Sequence, residues 1–157
     1  MKKKGIAFLA LAVVAFAGGW VWANGEPVQS NGVQVVMYQN PSCGCCVKWI
    51  EHMEANGFEV EVHKHDVNVN DIKRKENITQ EIASCHTAYI DGYLIEGHVP
   101  ARDIERLLAE RPDNIRGLTV PGMPVGTPGM EQPNGHVDSY DVLGFDADNK
   151  TSVYAKY

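Results

Sequence analysis

Short apolar runs of two periods divide the chain. Residues 31–40, "NGVQVVMYQN", form a β-branched run bounded by turn residues, which predicts a strand. "PSCG" then makes a turn. From about Cys45, "CCVKWIEHMEANG" switches to helical spacing, with Val47, Ile50 and Met53 on one face and Gly57 as the C-cap. "FEVEVHKHD" (58–66) alternates and predicts a second strand. "NVNDIKRKEN" (68–77) predicts a short helix opened by Asn68 or Asn70. "HTAYIDGYLIEG" (86–97) is a hairpin about Asp91-Gly92. "VPARDIERLLAERP" (99–112) is a helix with Pro100 in its first turn and Ile104, Leu107 and Leu108 as its apolar stripe. The order β-α-β-α-β-β-α is that of a thioredoxin-like domain.

Glycine and proline supply nine of the twenty residues in 117–136, which argues against a helix or a central strand there. A loop this long in a compact domain is commonly functional. Two short strands, "YDVLGFD" (140–146) and "TSVYAKY" (151–157), follow across an "ADNK" turn. They are expected to extend the sheet and leave the loop as a covering flap. The fold class is therefore α/β: a thioredoxin-like mixed sheet with flanking helices, a Gly/Pro/Met-rich flap and a C-terminal hairpin.

The first 23 residues follow neither period. Lys2, Lys3 and Lys4 precede a 19-residue apolar run that ends in "VWA". A basic start, an apolar centre and small residues at the end are the marks of a secretory signal, with Ala23 the last residue removed. The alternative is an uncleaved anchor, with Trp20 and Trp22 at the bilayer interface. Residues 1–23 are thus a signal peptide or anchor, and residues 24–157 a single metal-binding domain expected in the periplasm. A membrane contact is expected only if the leader stays attached.

Charge narrows the partners. The formal net charge is −6, and loss of the leader's three lysines brings it to −9. An acidic domain without a basic stripe is a poor nucleic-acid binder, so no nucleic-acid partner is expected. The cluster Lys73, Arg74 and Lys75 fits the solvated face of a helix.

Three of the four cysteines, Cys43, Cys45 and Cys46, lie within four positions. Cys43 and Cys46 have the C-x-x-C spacing of a redox pair, and Cys45 is a sulfur that a dithiol does not need. The turn sits at a helix N-terminus, where backbone N–H groups favour thiolate, the form that both attacks disulfides and binds soft metals. Gly44 allows a tight backbone there. In a thioredoxin-like layout the start of the third strand packs on this turn, which brings Cys85 and His86 across the cleft. A framework of two disulfides would close almost no loop and so constrain little. Zn²⁺ takes four thiolates tetrahedrally, but adjacent Cys45 and Cys46 make an unusual pair for one such ion. An iron–sulfur cluster matches none of the common spacings. A plain dithiol leaves two cysteines without a role. Copper fits best, because Cu(I) suits bridging thiolates and an exported protein meets copper outside the cytoplasm.

Met123 and Met130, in two Pro-Gly-Met units seven residues apart, add soft thioethers that either ligate copper or pack the flap. His98 precedes the last helix, where a cap or packing role competes with ligation. His52, about two helical turns beyond Cys45, lies too far to share an ion with it. His63 and His65 fall on one face of the second strand at a solvent-facing edge, and Trp49 is expected in the core.

"YQNPSCGCCVKWIEHMEANGFEV", "SCHTAYIDGYLIEGHVPARDIERLLAERP" and "GLTVPGMPVGTPGME" together resemble the CopG-type copper-resistance proteins, once catalogued only as a domain of unknown function. The resemblance spans nearly all of the chain after the leader. It implies a thioredoxin-like periplasmic protein with a cysteine-bridged polynuclear copper site and a part in copper redox. Its ligands would be Cys43, Cys45, Cys46 and Cys85, with copper ions and other periplasmic copper-resistance proteins as partners. One departure stands out: Ile78-Thr79 occupies the place where relatives carry Val-Pro, so that loop lacks a proline's stiffness.

The leading expectation is a copper-binding protein of copper resistance, with or without catalysis of copper redox. The alternative is a thiol–disulfide oxidoreductase with Cys43 as nucleophile and Cys46 as resolving thiol. The sequence against it is "SCHT", which stands where such enzymes carry a proline before the third strand.

Overall fold

A computed structural model describes residues 30–157, so the leader expected over 1–23 lies outside the described residues. The strands are β1 (Val33–Gln39), β2 (Phe58–His63), β3 (His86–Ile90), β4 (Tyr93–Glu96), β5 (Gly117–Thr119), β6 (Asp141–Phe145) and β7 (Thr151–Lys156). The helices are α1 (Gly44–Ala55), α2 (Val69–Lys75) and α3 (Ala101–Glu110). All seven strands join one mixed sheet in the order β2-β1-β3-β4-β5-β6-β7. The β1–β2 and β4–β5 pairs are parallel and the others antiparallel. The alternation along each strand splits the sheet into two faces. Val35, Met37, Ala88, Ile90, Ile95, Leu118 and Val142 form the main core with α1 and α3. A smaller cluster of Ile82, Leu94 and Phe145 is joined by Ile78 and Tyr89.

Local signals account for most boundaries. Gly57, at φ 86°, follows α1. The Asn68 side chain accepts from Asn70 N and opens α2. Asp91 and Gly92 both have positive φ, as a tight hairpin turn between β3 and β4 requires. No helix among the described residues is long and apolar enough to cross a membrane.

Four expectations change. Gly117–Thr119 is a strand, fully buried between β4 and β6, although it begins the Gly/Pro-rich segment. The prolines start only at position 121, and Gly117 is needed: a Cβ there would lie 2.1 Å from the Leu94 carbonyl oxygen. The buried stripe of α1 is Cys46, Trp49 and Met53, while Val47 is exposed. The helix starts at Gly44, one residue early, and it presents the cysteine side of the turn to the core. His65 lies beyond β2 and so does not share a strand face with His63. Lys73 is not on a solvated face: it is 12% exposed and pairs with the fully buried Glu96 at 2.5 Å. Arg74 and Lys75 are exposed as expected.

The loop before β3 holds without the proline. Ile82 N and Ala83 N both donate to the Thr79 carbonyl, and Thr119 Oγ1 donates to the Ile82 carbonyl. The Ile82 side chain is itself buried.

Candidate metal centre

Strand β1 ends at Gln39, and the chain turns at once. Cys43 N donates to the Asn40 carbonyl at 3.0 Å, and the Asn40 side chain accepts from Ser42 N and Ser42 Oγ. Cys43 is thereby set as the N-cap of α1, with no side-chain cap bond of its own. Gly44 needs no special backbone. Its φ is not positive, and a Cβ there would meet nothing within 4 Å, so glycine is not what gathers the sulfurs.

The four sulfurs do converge. Cys43 and Cys46 are joined by a disulfide, while Cys45 and Cys85 are free thiols. Cys45 Sγ lies 3.5 Å from Cys43 Sγ, and Cys85 Sγ lies 3.7 Å from Cys46 Sγ. All four fall within 4.8 Å of one another. Cys85 comes from the lip of β3, which is held from the opposite face of the sheet: Glu96 accepts from the neighbouring Ser84 N at 3.0 Å, from Thr87 and from Lys73.

Cys85 also belongs to a second group, with His86 and His98. Its sulfur is 3.3 Å from His86 Nδ1 and 3.1 Å from His98 Nε2. His98 Nδ1 donates to the Pro128 carbonyl at 2.7 Å. That bond fixes the tautomer and leaves Nε2 as a lone pair aimed at the sulfur. His86 packs on Trp49, with ring centroids 4.5 Å apart, and its buried Nε2 has no hydrogen-bond partner. Burial pushes the Cys85 thiol up to about 12, and the nearby Cys45 adds to the shift. Burial lowers His98, against the opposing pull of the Pro128 carbonyl. His86 falls well below the usual imidazole range, through burial first and His98 second. Both shifts favour the neutral ring, the form in which imidazole takes a proton or a metal.

The other candidates separate. The cap role expected as one option for His98 is filled by His52, whose Nε2 accepts from Ala101 N at 3.1 Å, at the start of α3. The "EGHVP" stretch carried no signal for the other nitrogen of His98, because its partner Cys85 lies in a separate segment, just before β3. His63 sits between Glu61 and Asp66 at the sheet edge, and His136 pairs with Asp138 on the surface. Met123 is 54% exposed and Met130 half-buried. Pro128 and Gly129, just before Met130, are what bring the flap to the site. Trp49 is fully buried, and its Nε1 donates to the Val99 carbonyl.

A family model described as "Protein of unknown function, DUF411" matches residues 82–130, the stretch that holds Cys85, His86, His98 and the flap. A search of curated proteins returns no match. A solved structure titled "Copper resistance protein copG- Form 1" is 40% identical with a TM-score of 0.74, and it covers 81% of this chain and 98% of its own. The Form 2 structure is 39% identical with a TM-score of 0.73, covering 81% and 99%.

The chain belongs to the CopG copper-resistance family.

In this CopG-family chain the donor set suits a soft ion: four sulfurs and two imidazoles, one of them with an orphaned buried nitrogen. Flap seating is testable. Gly129 has φ 85°, and a Cβ there would lie 2.8 Å from Trp49 N and 2.9 Å from the Cys45 carbonyl oxygen. Both neighbours are backbone of α1 and cannot step aside. Gly129→Ala is therefore expected to cost more than about 1 kcal/mol. It should speed amide hydrogen exchange across 126–130 while leaving β1–β4 protected. Unchanged exchange in the flap would refute the close seating.

Proposed function

We propose that this chain is an exported copper-binding protein of copper resistance, and that its reduced site holds Cu(I) through Cys43, Cys45, Cys46 and Cys85 in a polynuclear thiolate cluster. The observation that carries this reading is the convergence of four sulfurs from two separate segments within 4.8 Å. A redox pair alone gives no reason for Cys45 and Cys85 to stand there. His86 supplies an imidazole beside Cys85, and Met123 and Met130 are the thioethers a closing flap would add. Copper ions are the cargo and other periplasmic copper-resistance proteins the partners. Residues 24–157 act as one thioredoxin-like metal-binding domain behind the leader 1–23.

Full ligation requires the Cys43–Cys46 disulfide to open, which takes two electrons and yields two thiolates. The site therefore couples copper binding to its own redox state, and cycling between Cu(I) and Cu(II) is the catalytic form of the proposal. Anaerobic titration of the reduced protein with Cu(I), read by native mass, tests it. Retention of at least one copper per chain supports the reading, and retention of less overturns it.

A second reading is favoured by one specific feature, the Cys43–Cys46 disulfide itself. A thiol–disulfide oxidoreductase would reduce insulin with Cys43 as nucleophile and keep that activity in a Cys45→Ser, Cys85→Ser variant. The copper reading predicts no such activity above a free dithiol.

A further inference from the structure

Among the described residues, the buried polar side-chain atoms without a hydrogen-bond partner are Gln39 Oε1, His86 Nε2 and Asn149 Oδ1. Two of them belong to residues that face each other across strands, since Gln39 of β1 is paired with His86 of β3. We propose that Gln39 is a positioning residue for His86: its amide oxygen accepts a hydrogen bond from His86 Nε2–H, which leaves the Nδ1 lone pair toward Cys85 and the metal centre. The orienting role rests on the copper reading, whereas the hydrogen bond itself needs no copper.

The sheet puts the two side chains on one face. Along β1 the buried residues are Val35, Met37 and Gln39, which alternate toward the core. His86, Ala88 and Ile90 alternate toward the same core from β3. Gln39 is 2% exposed and His86 0%. Residues directly opposite on antiparallel strands have Cβ atoms about 4.5–5.5 Å apart on one side of the sheet. An amide and an imidazole both extend past half that gap, so a rotation about the last bonds of Gln39 joins them. Gln39 is also the last residue of β1, so the strand that delivers Cys43 is the one that holds His86.

Counting donors sets the direction of the bond. A glutamine amide oxygen only accepts, and a neutral imidazole donates from one nitrogen and accepts at the other. With the His86 proton on Nδ1, Nε2 and Gln39 Oε1 would be two neighbouring buried acceptors without a donor. With the proton on Nε2, both atoms are satisfied at once. Nδ1 is then an acceptor, 3.3 Å from Cys85 Sγ. His98 already has the corresponding arrangement: its Nδ1 donates to the Pro128 carbonyl, and its Nε2 lies 3.1 Å from the same sulfur. Each ring is thus held from behind by an oxygen, one on the flap and one on β1. Outer partners of this kind fix which nitrogen an imidazole offers to a metal.

The test uses the full-length reduced protein, copper-free and in chelator, with histidine carrying the NMR-active nitrogen isotope. Long-range proton–nitrogen spectra at mildly alkaline pH distinguish the tautomers, and His86→Gln assigns the His86 signals. The unaltered protein should show His86 protonated on Nε2. Gln39→Met keeps the side-chain length without the acceptor and should give a mixture of tautomers. Gln39→Glu keeps an acceptor oxygen and should restore Nε2–H, with circular dichroism confirming both folds. In competition with a Cu(I) chelator, Gln39→Met should bind copper about 10–100-fold more weakly than the unaltered protein. His86 protonated on Nδ1 in the unaltered protein would overturn the proposal, whether or not any variant folds. Nε2–H that persists in folded Gln39→Met would overturn it too. Unchanged copper affinity in Gln39→Met would overturn the orienting role. The expected tautomers in a protein that retains no copper would overturn the copper reading and uphold the hydrogen bond, so the two fail separately.

Discussion

Replacing Cys85 with serine is expected to remove stable copper binding from the reduced protein. Cys85 is the one residue shared by both donor groups, the four sulfurs and the Cys85–His86–His98 trio. It is also the only sulfur of the four that comes from outside the 43–46 turn. Without it, the three remaining thiolates lie on one short stretch and face two imidazoles with nothing to bridge them. Loss of a partner that only orients a metal ligand costs about 10–100-fold in affinity. Loss of this ligand should reach at least the upper end of that range. The measurement is anaerobic competition with a Cu(I) chelator. Met123→Leu, at an exposed position, should change the same affinity by less than about tenfold. Equal affinities for Cys85→Ser and the unaltered protein would contradict the ligand assignment.

Lys73→Met is expected to produce the largest loss of stability. Glu96 is fully buried, and Lys73, at 12% exposure, is its charged partner. Removing one member of a buried ion pair typically costs about 3–5 kcal/mol, because the other charge stays buried without compensation. The double variant Lys73→Met, Glu96→Leu removes both charges and should recover much of that loss. The pH dependence has a definite sign. Burial raises Glu96 above the usual carboxylate range, and Lys73 pulls it back only in part. A carboxyl group raised in the fold contributes stability below its unfolded value and loses it as pH rises through its folded value. The cost of Lys73→Met should accordingly be greatest near pH 7 and shrink as pH falls toward the ordinary glutamate range, read from urea midpoints at each pH. A cost that grows on acidification would contradict the buried-pair account. Because Glu96 also holds Ser84 N, the single variant should loosen Cys85 as well.

The sequence made the frame of the molecule legible where local chemistry dictates structure. The strand before the cysteines, the Asp91-Gly92 hairpin, the Gly57 stop and the C-terminal pair of strands all carry their own turn or cap signals. Strand β5 did not. Three residues cannot display a period, and the glycine that permits the close approach to Leu94 looks, in sequence, like part of the loop that follows. Lys73 was misleading for a related reason: only the pairing of β3 with β4 puts Glu96 under α2. The four cysteines were found by type and spacing, and the approach of Cys85 followed from the order of elements. The Cys85–His98 contact and the disulfide between Cys43 and Cys46 were not legible. The first depends on the flap turning His98 through Pro128, and the second is a redox state that residue types do not encode.

The most direct test of the central claim is elemental analysis of the protein purified from the exported fraction of copper-loaded cells, without added metal or chelator. The account predicts copper at one or more per chain, lost when Cys45 and Cys85 are both serine. Zinc alone, or copper content unaffected by those two substitutions, would contradict it.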